Sequence, residues 1–426
     1  MRAQRLHNAA ACSALMLASC LCSGTTTAGE YELRLGVDQQ AGYDDNIDFT
    51  RVNEIDATSY VLTPNAKLDG KTERWEFGVD LELPFERYSE DRLNSDNQDL
   101  QIVSKRQLER GEIDLAGGVL RDSTHRAEED ASGIQTRNAE RRVLNTFSGS
   151  WVRNLGERDR LSVGGSRQSA DYAEVSGLHD YSYGSVQGGW THIITERMST
   201  QLTVFDSHLE SEVFPEVVCV FPISPCPEGL VLGVFPLPDA QTDTAGIQGG
   251  FTRIFNERLR ADVMLGWRHL KTTNHGVADL NPDLTPVIGT VTDSSNGGLG
   301  SLGVTYTGQR FEVAGRLSRD LTPSGIGVLF ERDELLVDLA YHLQENLYLR
   351  LHAIAYDNQS LDQSVPFERR YYGVMPHVDW RFRRNWKLLG GVEIRSQELV
   401  TNSNPAKSNA VFLGLTYASE PLPVFR

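Results

Sequence analysis

Residues 75–85 read Trp-Glu-Phe-Gly-Val-Asp-Leu-Glu-Leu-Pro-Phe. Trp75, Phe77, Val79, Leu81, Leu83 and Phe85 alternate with Glu76, Gly78, Asp80, Glu82 and Pro84. A period of two describes a strand with one apolar and one polar face. The same rule governs Leu259, Ala261, Val263, Leu265 and Trp267, with Arg260, Asp262 and Arg268 opposite. It returns at Leu335–Tyr341 and at Tyr372–Phe382, the latter opposing His377, Asp379 and Arg381. In Trp386–Ile394 the opposing face holds Lys387, Gly391, Glu393 and Arg395. Many of these stretches run for roughly 12 to 16 residues, where strands of soluble proteins run about five or six. A large soluble sandwich fits that length poorly.

The connections alternate as well. Short charged turns recur at Asp69-Gly70-Lys71, Glu109-Arg110-Gly111, Leu155-Gly156-Glu157, Thr195-Glu196-Arg197, Asn256-Glu257-Arg258, Gly308-Gln309-Arg310, Gln344-Glu345-Asn346 and Arg383-Arg384-Asn385. Between them lie longer loops near 44–58, 89–96, 127–140, 173–178, 211–241, 274–295, 322–330, 358–368 and 401–407. Eight turns and nine loops join 18 strands. The expected fold is therefore all-β: a transmembrane antiparallel barrel of about 18 strands, with short periplasmic turns and long extracellular loops. Sixteen is the alternative, because residues 97–110 and 157–172 carry Lys, Arg and Ser where an outward face should be apolar. Lipid supplies no hydrogen-bond partner, so a membrane sheet must close on itself. Trp75, Phe85, Trp267, Trp380 and Trp386 sit near strand ends or band edges and suit aromatic girdles.

Composition narrows the function classes. Of 426 residues, 39% are hydrophobic, and outside the N-terminus we find no run of 18 apolar residues for a helical span. The formal charge is −17 with no basic tract, which argues against nucleic acid as a partner. Arg2 and Arg5, the apolar stretch 9–21 and Thr26-Thr27-Ala28 make residues 1–28 a signal peptide, leaving 29–426 as the barrel. Leu17-Ala18-Ser19-Cys20 also reads as a lipobox, so lipidation of Cys20 stays open as an alternative. Cys219 and Cys226 lie in a Pro-rich loop; an exported protein would join them as a disulfide, with free thiols as the alternative.

Motifs that carry chemistry are few. Gly298-Leu299-Gly300-Ser301-Leu302-Gly303 matches a dinucleotide fingerprint by letter, but a loop precedes it and a strand pattern continues through it. Gly164-Gly165-Ser166 lacks the last glycine of a nucleophile elbow. His377 and Asp379 share a face with Arg381, which a balanced lumen explains better than a catalytic pair. Glu90, Asp91 and Asp96, and then Glu128, Glu129 and Asp130, lack the spacing of a calcium loop and read as solvated charge. No catalytic residue, metal site or cofactor is expected. The expected pore-lining residues are Glu76, Asp80, Glu82, Glu112 and Asp114 on an acidic wall, and Arg316, Arg350, His377, Asp379, Arg381, Lys387, Glu393 and Arg395 on a basic, mixed one. Opposed walls would set up a field across the pore. Tyr348 and Tyr356 are expected on the lumen side, where rings can stack on sugars.

Tyr43-Asp44-Asp45-Asn46, Thr72-Glu73-Arg74-Trp75-Glu76-Phe77, Glu86-Arg87-Tyr88, Gln107-Leu108-Glu109-Arg110-Gly111 and Arg121-Asp122-Ser123-Thr124 resemble a family of outer-membrane β-barrel porins. That family is associated with exopolysaccharide and exosortase (PEP-CTERM) gene clusters. The resemblance spans the mature chain, and its motifs are turn and strand consensus. It implies an outer-membrane conduit for a secreted polysaccharide, with outer-membrane lipid, lipopolysaccharide and periplasmic export components as partners. A general diffusion porin for small solutes is the alternative, followed by an outer-membrane glycan- or lipid-modifying enzyme.

Overall fold

The computed structural model describes residues 29–131, 136, 138–173, 178–212, 216–219, 231–235, 239–280, 286–361, 367–399 and 405–425. The signal-peptide and Cys20 readings lie outside these residues. The chain forms one closed antiparallel sheet of 18 staves. The first nine are β1 (Glu30–Asp44), β2 (Ala57–Lys71), β3 (Trp75–Glu82, resuming as Phe85–Tyr88), β4 (Gln98–Leu108), β5 (Gly111–Ser123), β6 (Arg141–Asn154), β7 (Asp159–Tyr172), β8 (Tyr181–Thr195) and β9 (Met198–Ser211). The others are β10 (Ala240–Asn256), β11 (Leu259–Leu280), β12 (Pro286–Thr307), β13 (Phe311–Pro323), β14 (Leu329–Gln344), β15 (Leu347–Ser360), β16 (Glu368–Arg383), β17 (Trp386–Leu399) and β18 (Ala406–Ala418). Each stave pairs with its sequence neighbour, and β1 closes the ring on β18 through pairs such as Gln39–Leu415. Leu422–Phe425 continues that seam against the start of β1.

Register fixes the two faces. Leu35 on β1 pairs with Ala66, Leu68 with Val79, Val79 with Ile102, and so on around the ring without a change of parity. One face collects most of the exposed large apolar side chains, including Leu115, Val163, Val186, Leu202, Leu265, Leu317, Leu335 and Leu413. The other face holds the buried Arg142, Arg268 and Arg395. The apolar face therefore points outward and the polar face inward. On β11 the outward apolar series runs from Leu259 to Trp267 and then turns polar at His269 and Lys271. At about 3.4 Å per residue, tilted by about 40°, that band stands about 20 Å tall, close to the height a membrane requires. Closure, an even strand count, this band and the division into short turns and long loops make it an outer-membrane-type barrel.

Three details differ from the sequence reading. The deciding stretch is interrupted: β3 breaks at Leu83–Pro84, where Pro84 has no N–H for the ladder, and resumes at Phe85. The expected loop 274–295 is largely sheet, because β11 and β12 each run 22 residues as a hairpin. The weak segments 97–110 and 157–172 do form staves, which settles the count at 18. Within them Lys105 faces inward, and Arg106 lies over the outward Trp75 ring at 4.9 Å.

Candidate functional site: the lumen and its mouth

Twelve of the thirteen sequence-selected residues occupy inward positions by register, and Arg381 falls at the bulge between Trp380 and Arg383. Their surroundings differ from the expectation of two opposed walls. On β2–β5 the acids are interleaved with lysines. Lys71 bonds Glu76 at 2.8 Å, and Lys105 sits 2.7 Å from Glu112 and 3.6 Å from Asp114. On β13–β16 the bases are interleaved with acids. Arg350 bonds Asp379 at 3.2 Å, and His352 bonds Asp338 at 2.7 Å. In an 18-stave ring the stave opposite is half the ring away, so β3–β5 face β12–β14. The cationic staves β15–β17 instead face β6–β8, an arc that sequence reading passed over. Between the buried Arg142 and Arg160 at its two ends, that arc presents Thr146, Ser148, Ser150, Ser162, Ser166 and Gln168, then Ser185 and Gln187. Small neutral residues carry no pattern of their own in a sequence, and only register shows that they line up.

Arg395 is inward but does not present its charge to open lumen. Its guanidinium lies 2.6 Å from Asp44 and 2.9 Å from the Ser408 hydroxyl, and 5.3 Å from the Phe49 ring. Tyr356 is likewise removed from any sugar-stacking role. It is 5% exposed, stacked on Tyr371 at 4.8 Å and capped by Arg332 at 4.0 Å. Tyr348 keeps an inward position beside His342. His377 contacts the Met375 carbonyl at 3.3 Å and Asp379 at 4.0 Å, and no serine hydroxyl bonds it among the described residues. No group of three metal-ligating side chains is found among the described residues. The stretch 298–303 lies inside β12, with no helix after it.

The long-loop end of the lumen is packed. The segment after β1 folds inward: Phe49 is 1% exposed and packs on Tyr371, Tyr356 and Ala406, while Ile47 packs on Ala57, Tyr88 and Leu93. Phe49 and Asn53 adopt positive φ, 49° and 55°, a conformation that side-chain-bearing residues hold only when their surroundings enforce it. The Asn46 side chain supplies part of that enforcement, donating to the carbonyls of Thr50 and Lys407 at 2.7 Å each. After β5, helix α1 (Thr124–Ala131) inserts Glu128, which accepts from Arg142 at 3.2 Å and from the Tyr172 hydroxyl at 2.5 Å. Glu128 is therefore a buried structural acid, not the solvated charge expected; the side chains of Glu129 and Asp130 lie outside the described set. The segment Ser324–Val328, between β13 and β14, reaches across to the connection between β7 and β8, where the Gly325 carbonyl accepts the His179 N–H at 2.7 Å. Its neighbours complete an apolar cluster of Ala170, Tyr172, Leu178, Tyr181, Leu209, Leu270 and Leu329. The apolar letters Ile326, Val328 and Phe330 in an otherwise polar loop were the available signal for this strap.

At the same mouth, burial pushes the Asp180 carboxyl up, although it accepts the Tyr172 N–H at 2.6 Å. Burial raises Glu212 too, reinforced by Asp180, Asp239 and Asp171. Burial lowers His179. Cys219 ends a short strand, Glu216–Cys219, paired with Val231–Phe235 outside the barrel sheet. Cys226 lies outside the described residues, and with it the disulfide reading.

No protein-family model and no curated protein matches the chain. Solved structures align with most of its length. The ferric-catecholate import receptor Fiu of E. coli K12 aligns at 11% identity over 90% of this chain and 81% of that one, TM-score 0.44. OccAB4 of Acinetobacter baumannii aligns at 8% over 93% and 99%, TM-score 0.45. The ferric citrate transporter FecA aligns at 12% over 91% of this chain and 64% of that one, TM-score 0.47. The likeness concerns the fold alone.

Proposed function

We propose that this protein is an outer-membrane conduit, and that its cargo is a polysaccharide leaving the cell. The observation that supports this reading is the inner wall. It pairs an ion-paired charged surface on β2–β5 and β13–β16 with an uncharged hydroxyl and amide arc on β6–β8, and both line one lumen. Such a wall can exchange water for the hydroxyls of a sugar chain without holding it by a single strong charge. Transport is passive. No residue is catalytic, and synthesis and inner-membrane machinery supply the driving force through periplasmic components. The packed mouth implies that α1 and the strap Ser324–Val328 shift when polymer passes.

The test is deletion of the gene, with extracellular and periplasmic polysaccharide measured separately. Periplasmic build-up with surface loss, restored by complementation, is the expected result. Normal surface polymer overturns it and favours a diffusion porin.

A further inference from the structure

A cavity of about 630 Å³ is cut into the lumen wall where the charged staves meet the uncharged arc. Its floor follows register. Gly78, Val103, Ala116, Ser148, Ser166 and Ser185 are successive cross-strand partners from β3 to β8. At about 4.8 Å per strand the row is roughly 24 Å long, and because the staves tilt it climbs the wall as it turns. Longer side chains flank it on both sides. On the short-turn side stand Glu76, Lys105, Asp114 and Gln187; on the mouth side stand Gln101, Thr146 and Gln168. The result is a trough, and its volume falls within the range of ligand-holding pockets.

Its chemistry is specific. The Ser166 and Ser185 hydroxyls lie 2.7 Å apart and are solvent-facing, so the pair still offers lone pairs and a donor. Val103 is 51% exposed although it faces inward, against the rule of the inner wall, and it places an apolar surface on the trough floor. Carboxylates outnumber cations in its lining, where Asp69, Glu76 and Asp114 stand against Lys105. A polyanion would meet net repulsion at that edge. An uncharged chain with hydroxyl edges and C–H faces finds hydrogen-bond partners along the serines and a C–H contact at Val103.

We propose that this trough is a binding subsite for a neutral, polyhydroxylated saccharide segment, held along the climbing row from β3 to β8. The proposal rests on the conduit reading and names the class of its cargo. It is tested on the full barrel, folded in detergent, by calorimetry with maltohexaose and cellohexaose as uncharged probes and hexagalacturonate as the acidic one. At least one uncharged probe should bind at least about tenfold more tightly than the acidic one, and Ser148→Val with Ser166→Val should weaken it at least about tenfold. The control pair Ser301→Val and Thr305→Val, inward on β12, should leave binding unchanged. Equal binding of the acidic probe, equal losses in both pairs, or no binding of either uncharged probe overturns the proposal. Binding does not require an open mouth, so a closed channel does not blur the result. If gene deletion traps polymer while the uncharged probes fail to bind, the subsite falls and the conduit stands.

Discussion

Replacing Arg395 by Met tests what holds the segment after β1 in the mouth. Arg395 donates to Asp44 at 2.6 Å and to Ser408 at 2.9 Å, with both charged side chains less than a tenth exposed. Removing one partner of a buried ion pair costs about 3–5 kcal/mol. Asp44 would keep two donors, the Asn46 N–H at 2.9 Å and the Ser408 hydroxyl at 2.7 Å, which places the loss near the lower end. Losing the cation beneath the buried Phe49 adds about 2 kcal/mol. The expected total is about 5 kcal/mol of local stability. That is enough to free residues 45–56 while the staves, held by their ladders, stay folded. Two readouts check this: urea unfolding of the detergent-folded barrel, and single-channel conductance in a planar bilayer. Arg395→Met should raise conductance. Asp44→Asn combined with Arg395→Met should cost less than the sum of the single changes, by at least about 1 kcal/mol. Strict additivity together with unchanged conductance would refute the assignment of this pair as the anchor of the mouth.

Other outcomes follow from the same geometry. Gly327 has φ of +79°, and a Cβ there would lie 2.4 Å from the Ser211 hydroxyl oxygen, so Gly327→Ala should cost about 1–2 kcal/mol and expose the strap to limited proteolysis. Tyr172→Phe removes a 2.5 Å hydrogen bond to buried Glu128 and should lower stability by about 1.5–3 kcal/mol in urea titrations, with the barrel's strand signal retained. Asp180 and Glu212 have raised carboxyl pKa values, so the folded mouth takes up protons before the unfolded chain does. Its stability should therefore rise as pH falls through those raised values toward the ordinary carboxylate range, and level off at its lower value above them. Glu212→Gln should flatten that dependence of the melting midpoint between pH 7 and pH 4.5, and an unaltered slope would exclude Glu212 as a contributor.

The legible part of the fold was the part written in period two. Leu259–Trp267 names its outward face without help, because lipid on one side and water on the other select alternate residues along each stave. The count of 18 came from turn chemistry as much as from the strands. Residues 97–110 looked unfit because Lys, Arg and Ser stand where an outward face should be apolar, yet Lys105 and Arg106 point to opposite faces, one to Glu112 and one over Trp75. The lumen charges were legible one at a time, and their partners were not. Glu112 and Lys105 are seven positions apart along the chain but become diagonal neighbours across the hairpin because the turn at residues 109–110 is tight.

The sequence by itself determined that this chain closes into a barrel, and which side of each stave meets lipid. A strand's periodicity is a local property, and the membrane reads it locally. Only the tertiary structure decided what fills the barrel. Arg395 meets Asp44 across 351 positions, Gly325 reaches the β7–β8 connection, and six small residues from six staves align into one trough. Those relations depend on ring closure and on the register of each pair, which couple residues that no local pattern connects.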